Sequence, residues 1–374
     1  MSCIKWLIVF FVLWILPANS FAAEKLPRDG LVIQAEIPRS GDFLDFGAKS
    51  FAAEELPADK LVIQAKIPRK GKGFLGFGFD SLWMMNGKRL TRVNPADNSV
   101  IDIDVHGGGK YRAMAIGEGA VWVPAASKDV VLKVDPIANK LVQEIPAQML
   151  SIEGSIAAGE GGVWVITATE SGDTNLTRFN PASGAVDAII PLPSNSAGVV
   201  VDFGAVWVTG TNNGELYRID PRTNTIMSTV KLHEWPRFIA SGEGSIWVFN
   251  QSDGTVQRID GKTAKLQATI ETGLPGKRSD IACGGGYVWI SAPGTPVSQI
   301  DPRTNTLVRE FKGSLMGEEA DTIRYGASSL WVSGWTVYRI RPPDWGHIAR
   351  LPSDRAPAIL RARCHRRCHD AVIR

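Results

Sequence analysis

Short apolar runs alternate with turns along most of this chain. The apolar run 120–124 follows a segment of small residues at 113–116 and a Gly-Glu-Gly turn at 117–119. Two segments in which polar and apolar residues alternate come next, at 132–136 and 141–145. Runs of this length, with Gly, Pro, Asp or Asn between them, predict β-strands joined by tight turns.

This four-strand unit recurs seven times, and each copy carries one Trp. The successive Trp residues are separated by 39, 42, 43, 40, 42 and 42 residues. They are Trp83, Trp122, Trp164, Trp207, Trp247, Trp289 and Trp331. A period of about 40–45 residues is typical of four-stranded propeller blades. The sequence therefore predicts an all-β fold, a seven-bladed β-propeller of four-stranded antiparallel blades.

The repeated residues are expected to be structural. A Trp ring on the second strand can fill the wedge between neighbouring sheets, and its burial contributes roughly 1.5–3 kcal/mol. A feature present in every blade does not specify one binding site. The turn Asp-Pro-Arg-Thr-Asn at 220–224 recurs at 301–305. Its Asp can accept hydrogen bonds from backbone amides, and its Pro presets φ.

The last blade, around Trp331, needs a fourth strand. Residues 60–67 precede the first blade and resemble the fourth strands elsewhere, so we predict that this N-terminal strand closes the last blade and removes its open edge. Segment 347–351 is a rival. Segment 31–37 is a third candidate, because residues 21–50 and 51–80 form a tandem copy with 16 of 30 positions identical.

The two ends differ from the repeats. Lys5, the apolar run 6–16 and the small residues that follow it are typical of a secretory signal peptide cleaved near Ala22. The apolar run is too short to span a bilayer as a helix, although an uncleaved anchor is the alternative. We expect a signal peptide at 1–22, an extension at 23–59, the propeller at 60–345 and a basic tail at 346–374. The protein is then periplasmic or secreted, without stable membrane insertion after cleavage.

Charge and cysteine content exclude some classes of function. The formal net charge is +3, but the chain from Arg341 onward carries eight Arg and three Asp, so the rest is slightly acidic. We therefore expect no nucleic-acid partner. Cys283 is alone in the repeats, which does not indicate a disulfide framework. Cys364 and Cys368 flank three residues, not the two of the haem-attachment motif, and a basic tail without function is the simpler interpretation.

Recognition is expected on one face of the ring. With strands A to D running outward in each blade, the variable D–A and B–C connections share a face, and the repeated turns lie on the other. Arg112, Arg237 and Asp321 each stand ten residues before a Trp and should converge at the channel mouth. Arg324 replaces a small residue on an inner strand, so it either binds a ligand or pairs with Asp321 or Glu319. The predicted ligand-binding residues are His106, Arg112, His233, Glu234, Arg237, Arg278, Glu319, Asp321 and Arg324.

Arg suits carboxylate or phosphate ligands through its planar fork. A solvated rim with local, weak ion pairs is the alternative reading of the same residues. His106, His233 and Glu234 could form an incomplete divalent site, but their spacing does not support one. We expect no cofactor.

The repeat Gly-x-Gly-x-Val-Trp-Val, followed by Val-x-Arg-Ile-Asp-Pro-x-Thr-Asn, resembles the YVTN-type and streptogramin lyase-like (virginiamycin B lyase-like) seven-bladed propellers over roughly residues 60–345. In the lyases a magnesium-assisted His/Glu set opens a cyclic depsipeptide, and blades carry Gly-x-x-Trp-Phe-Thr-Glu. Here Val or Ile follows six of the Trp residues and Met84 follows the first, with no Glu in register.

We therefore expect an exported, non-catalytic binding module for a small anionic ligand or a protein partner. One alternative is a magnesium-dependent lyase or hydrolase that uses His106, His233 and Glu234. Another is a structural subunit of an exported complex, with the propeller sides or the basic tail as the contact.

Overall fold

Seven β-sheets arranged as a ring of blades make up the described part of the chain. This part comprises residues 52–68, 73–86, 89–105, 113–125, 128–149, 155–169, 171–193 and 195–342 of a computed structural model. Apart from two outer strands that the N-terminal segment contributes, the strands of each sheet are hydrogen-bonded in chain order, and the first strand of each blade lines the axis of the ring. The seven-bladed β-propeller predicted from the Trp period is confirmed.

The strand bounds are as follows. Before the first blade lie β1 (Glu54–Pro57), a 3-10 helix (Ala58–Lys60) and β2 (Ile63–Pro68). Blade 1 has β3 (Leu75–Gly78), β4 (Ser81–Asn86), β5 (Arg89–Val93) and β6 (Val100–Asp104). Blade 2 has β7 (Ala115–Gly117), β8 (Ala120–Ala125), β9 (Val130–Asp135) and β10 (Lys140–Pro146). Blade 3 has β11 (Ile156–Gly159), β12 (Gly162–Ala168), β13 (Thr174–Phe179) and β14 (Val186–Pro191). Blade 4 has β15 (Ser196–Asp202), β16 (Ala205–Gly210), β17 (Glu215–Asp220) and β18 (Thr225–Lys231).

The remaining blades complete the ring. Blade 5 has β19 (Pro236–Gly242), β20 (Ser245–Asn250), β21 (Val256–Asp260) and β22 (Leu266–Ile270). Blade 6 has β23 (Asp280–Gly284), β24 (Tyr287–Ala292), β25 (Thr295–Asp301) and β26 (Thr306–Lys312). Blade 7 has β27 (Thr322–Gly326), β28 (Ser329–Ser333) and β29 (Thr336–Ile340). Within these ranges no helix is long and apolar enough to cross a membrane.

The N-terminal segment closes the ring, as predicted. Strand β2 pairs antiparallel with β29, with Ile67 opposite Val337, and becomes the fourth strand of blade 7. The rival segments 347–351 and 31–37 lie outside the described residues. One feature was not predicted: β1 adds a fifth, parallel strand to blade 6 beside β26. The carboxylate of Glu54 accepts a 2.8 Å bond from Nε of Arg309, which joins this added strand to the blade.

The seven Trp side chains form the core, as expected. Each is fully buried. Each indole Nε1 donates to the carbonyl oxygen of the residue five positions earlier, at 2.8–3.2 Å. The only polar atom of each ring is therefore satisfied inside its own blade, and the apolar remainder packs between sheets.

A cation lies over six of the seven Trp rings. The residue opposite the Trp on the third strand is Arg or Lys, 5.0–5.4 Å from the ring centroid. These residues are Arg92, Lys133, Arg178, Arg218, Arg258 and Arg339. Each also donates to a backbone carbonyl in the outer turn of the next blade, at 2.5–3.0 Å. Since Arg339 reaches Pro95 of blade 1, this contact joins the last blade to the first.

The repeated turns supply the acceptors for these cations. In the turn that follows β25, the Asp301 carboxylate accepts the Arg303 amide at 2.8 Å, as the turn chemistry predicts. Asn305 has a φ of 55°, and its amide oxygen accepts a 2.8 Å bond from Arg258 of the preceding blade. Left-handed backbone conformations favour Asn over most residues. The same residue thus ends its own turn and links two blades.

Blade 6 lacks the cation. Gln299 stands opposite Trp289, is fully buried, and has neither amide atom hydrogen-bonded to any described residue. Blade 7 takes its fourth strand from the N-terminus, so no continuous turn connects β29 to β2. The next blade therefore offers no outer turn to receive an Arg, which explains the exception.

Inner strands of adjacent blades also approach closely. A Cβ added at Gly326 of blade 7 would lie 2.2 Å from the ring of Phe77 in blade 1. Such a distance is far below van der Waals contact, so only Gly fits at this junction. The Gly before the turn is thus a packing requirement of the ring.

Candidate functional site at the channel mouth

A cavity of about 990 Å³ runs along the axis of the ring. The innermost strand of every blade contributes to its wall. Several of the wall residues are small, among them Ala115, Ala157, Gly198, Ala240 and Ala282. Small side chains on the inner strands leave the axis open, because larger ones would fill it.

Polar residues of blades 5 to 7 gather where this cavity meets the D–A/B–C face. They include Arg237, Gln251, Lys277, Ser279, Asp280, Asp321 and Arg324. Arg237 and Asp321, which were expected to converge, do line the same cavity. Arg112 and His106, predicted for the same mouth, lie outside the described residues.

Arg237 and Gln251 lie at the same end of blade 5, Arg237 at the start of its first strand and Gln251 in its B–C connection. Arg237 is the second residue of β19, and Gln251 directly follows β20, so both lie at the D–A/B–C end of the blade. Nη1 of Arg237 is 3.5 Å from the amide oxygen of Gln251, and its guanidinium lies 5.6 Å from the Phe238 ring centroid. These contacts hold the side chain at the mouth of the cavity.

Arg324 pairs with a residue that the sequence analysis did not choose. Its Nη1 lies 2.5 Å from Oδ2 of Asp280 in blade 6, not against Asp321 or Glu319. The guanidinium also covers the Phe74 ring at 4.5 Å. Both expected partners, Glu319 and Asp321, lie in the D–A connection that leads into the strand of Arg324, whereas the first strands of neighbouring blades lie side by side and bring Asp280 closer.

The environment of Asp280 follows from this position. Its carboxylate accepts the amides of Ile281 and Ile323, at 2.9 and 3.0 Å, besides the Arg324 bond. Burial nevertheless raises the pKa of Asp280 above its usual value, against the opposing effect of Arg324 and the two amides. The pair is a charged contact between blades 6 and 7 in the channel wall.

Arg278 and Glu319 form a second ion pair across the same two blades. Nη2 of Arg278 lies 2.9 Å from Oε2 of Glu319, and both side chains are more than half exposed. Exposed pairs of this kind contribute about 0–1 kcal/mol. Arg278 and Glu319 therefore fit the alternative interpretation of the predicted site, a solvated rim with weak local ion pairs.

His233 and Glu234 belong to a polar cluster on the loops of blade 5. Nδ1 of His233 is 2.7 Å from Oδ2 of Asp253, and the His233 amide donates to the Gln257 side chain at 2.8 Å. Burial tends to raise the pKa of Asp253, but hydrogen bonds from Thr255 and His233 outweigh it and lower that pKa. Neither His233 nor Glu234 lines the axial cavity.

A metal centre is not evident in the part of the chain that the structure describes. Within it, no three His, Cys, Asp or Glu side chains are close enough together to hold an ion. His106, the third residue of the divalent site considered from the sequence, lies outside that part. The described residues of that set, His233 and Glu234, are consecutive in one loop.

The predicted ligand-binding set left out several residues of this face. Lys277 and Gln251 line the cavity, and Asp280 pairs with Arg324. Trp235, Met316 and Trp335 lie in the D–A and B–C connections and are 51%, 62% and 58% exposed. Two of these residues could have been found from the sequence, because Trp235 and Trp335 do not belong to the regular series of seven Trp residues and so are not explained by the blade core.

Comparison with known proteins supports the fold. The chain is similar to the β-propeller domain of Myceliophteria thermophila Cps50 (Swd1), with a TM-score of 0.62 and 14% sequence identity. The similarity covers 76% of this chain and 100% of that domain. No protein-family model matches the sequence, and neither does any curated protein. At this identity the likeness shows the propeller fold alone.

Proposed function

We propose that this protein is an exported, non-catalytic β-propeller of the YVTN-type, lyase-like group that binds a small anionic ligand at the D–A/B–C mouth of its channel. The observation that carries the proposal is the presence of Arg237 and Lys277 on the wall of one cavity, beside Gln251. Export rests on the N-terminal sequence pattern, and the family on the repeat motifs.

The mouth suits a carboxylate or a phosphate. The charge of Arg324 is balanced by Asp280, and that of Arg278 by Glu319. Lys277 has no acidic partner among the described residues. A guanidinium, an ammonium and a side-chain amide on the wall of one cavity supply the donors that an anion needs. Asp321 on the same wall would favour a ligand that also carries a hydroxyl or ammonium donor.

Cavity size agrees with a small ligand. A volume of about 990 Å³ is at the upper end of the range of ligand pockets, about 300–1,000 Å³. The magnesium-dependent lyase is less favoured, because His233 is engaged by Asp253 and lies away from the cavity wall.

The test is a thermal-shift screen of the chain from residue 23 onward against carboxylates, phosphates and divalent cations. A ligand of the folded state raises the unfolding midpoint by mass action. We expect an anionic compound to raise it, and Arg237→Ala and Lys277→Ala to abolish the rise. Arg89→Ala is the control, because Arg89 pairs with Asp102 on the outer part of blade 1. A rise that survives both mouth variants would contradict the proposal, as would a rise produced by divalent cations alone.

A protein partner is the second candidate. Exposed aromatic, Met and Arg side chains are enriched at protein interfaces, and Trp235, Met316 and Trp335 share this face. Chemical cross-linking in the exporting cell would test it, with the doubly substituted Trp235→Ala/Trp335→Ala protein. We expect a partner's cross-link to be lost in that variant and kept in Ile137→Ala. Ile137 is 88% exposed in an outer turn on the opposite face.

A further inference from the structure

We propose that the ligand of the channel is an anionic amphiphile, whose charged head lies at the mouth and whose apolar tail lies along the axis of the ring. This proposal rests on the function proposed above and names the chemical class of the ligand. It follows from a division of the channel wall into a polar mouth and an apolar interior.

The wall can be compared blade by blade because the inner strands share one register. In every blade the residue seven positions before the Trp is the strand partner of that Trp. Gly76 thus pairs with Trp83, and Ala157 with Trp164. Each inner strand runs from the D–A/B–C face toward the repeated turns. Residues at the same distance before the Trp therefore lie at the same depth in the channel.

Charge is concentrated at the mouth. Among the described residues, five of the six charged wall residues lie nine to twelve positions before the Trp of their blade. These five are Arg237, Lys277, Arg278, Asp280 and Asp321. The sixth, Arg324, lies seven positions before Trp331, and Asp280 binds its guanidinium. An anionic head is therefore expected at the mouth, where Arg237 and Lys277 lie.

Below the mouth the wall is apolar. The described wall residues of blades 1 to 4 are all apolar or Gly. Eight positions before the Trp, the wall is formed by Met114, Ile156, Val199, Ile239 and Ile281. Six positions before it, the wall is formed by Phe77, Ile116, Ala158, Val201, Ser241, Cys283 and Tyr325. Neither of these two deeper layers contains a charged wall residue.

The depth of this interior suits a tail and not a head alone. Arg237 lies ten positions before its Trp and Ile116 six before its own, and four residues of strand span about 13 Å. A simple carboxylate or phosphate would occupy only the charged layer of the cavity. Water beside an apolar wall is poorly held, so an apolar group that displaces it gains affinity. A ligand that combines both parts uses the whole channel.

A series of n-alkyl carboxylates tests this class of ligand. Isothermal titration calorimetry on the chain from residue 23 onward would use butanoate to decanoate, each below the concentration at which it forms micelles. Each added CH₂ should tighten binding about fourfold while the tail remains within the channel. Binding that does not depend on chain length would overturn the amphiphile and leave the anion site of the proposed function standing. Failure of every carboxylate to bind would overturn both.

Head and tail are then separated. Octylammonium has the tail of octanoate and the opposite charge, so it should bind more weakly than octanoate. Equal binding would mean that the tail alone associates with the protein, which contradicts the proposal. Arg237→Ala removes a contact of the head and should weaken all the carboxylates by a similar factor.

Ala158→Phe narrows the apolar interior and should weaken only the longer carboxylates. Phe77 occupies the equivalent position of blade 1 and packs on Gly326 of the neighbouring blade. A Cβ built on Gly117 would lie 3.3 Å from that of Ala158, so Ala158 faces a Gly in the same way. Ala158→Val is a milder variant, since Val201 is its equivalent in blade 4.

The unfolding midpoint without ligand shows whether each Ala158 variant is folded. In a folded variant the advantage of octanoate over butanoate should shrink, and binding of butanoate should stay at the wild-type value. An unchanged advantage in both variants would show that the tail lies outside the channel and would overturn the proposal.

Discussion

Replacing Arg258 by Met removes one complete link between blades 5 and 6. Arg258 covers the Trp247 ring at 5.0 Å. It donates to the carbonyl of Pro302 at 2.5 Å and to the side chain of Asn305 at 2.8 Å, and its Nε donates to the Ser245 hydroxyl of its own blade at 2.8 Å. Met keeps most of the apolar stem, so the substitution isolates the charge and its hydrogen bonds.

The cost follows from these contacts. A cation over an aromatic ring contributes about 0.5–2 kcal/mol. A hydrogen bond from a charged donor contributes about 1.5–3 kcal/mol, and three are lost here. Arg258 is only half-buried and its contacts share one guanidinium, so we expect a net loss of about 3 kcal/mol rather than the full sum. At about 2 °C per kcal/mol for a domain of this size, the unfolding midpoint falls by about 6 °C.

Chemical denaturation of the purified protein measures the loss, and Gln299→Met is the matched control. Gln299 occupies the equivalent position in blade 6, with both amide atoms buried and unbonded to the described residues. Its replacement removes two polar atoms from the core, so it should be neutral or stabilising. The reasoning is refuted if Arg258→Met costs less than about 1 kcal/mol, below the range for one charged hydrogen bond, or if Gln299→Met is equally costly.

Three other predictions concern the turns, the inner ring and the channel wall. Hydrogen bonds from the amide and hydroxyl of Thr263 hold the pKa of Asp260 below its usual 3.8. The Asp260 carboxylate therefore stabilises the fold fully above pH 3.8, and this stabilisation is lost as the pH falls through the lowered pKa. The difference in unfolding free energy between wild type and Asp260→Asn should therefore shrink in acid; a difference independent of pH would contradict this. Gly326→Val should lower the free energy of unfolding by about 2 kcal/mol or more, because the added side chain clashes with Phe77, and chemical denaturation measures this loss. Wild-type stability of the variant would show that the blades can separate at no cost. Asp280→Asn should cost about 2–3 kcal/mol because it leaves the Arg324 charge unmatched, and Asp280→Asn/Arg324→Met should recover part of that in the same assay; no recovery would mean that the pair is not coupled.

Much of the fold could be predicted because the information is local and repeated. The Trp period set the number of blades, and the apolar and alternating runs placed strands within a few residues of β8, β9 and β10. The Asp-Pro turns follow from the chemistry of one or two side chains. The closing strand was also predictable, because residues 60–67 resemble a fourth strand that the last blade lacks.

The candidate site was less predictable, since its contacts join residues about forty positions apart. The sequence predicted that Arg324 binds a ligand or pairs with Asp321 or Glu319, yet Asp280 on the neighbouring inner strand is the acid that it contacts. Arg278 and Glu319 were both selected from the sequence, but only their proximity shows that each neutralises the other. His233 was expected on the binding face, and its bond to Asp253 depends on how two loops of blade 5 meet.

The sequence by itself thus determined the all-β class, the seven blades, the buried Trp in each and the strand that closes the ring. Only the tertiary structure decided which cations lie over those rings, why Gln299 is the exception, and which charges at the channel mouth pair with each other. The physical reason is the separation along the chain of the residues that interact. Strand and turn formation depend on neighbours a few residues away, whereas charge pairing depends on which blade stands next to which, and that is settled only when the ring closes.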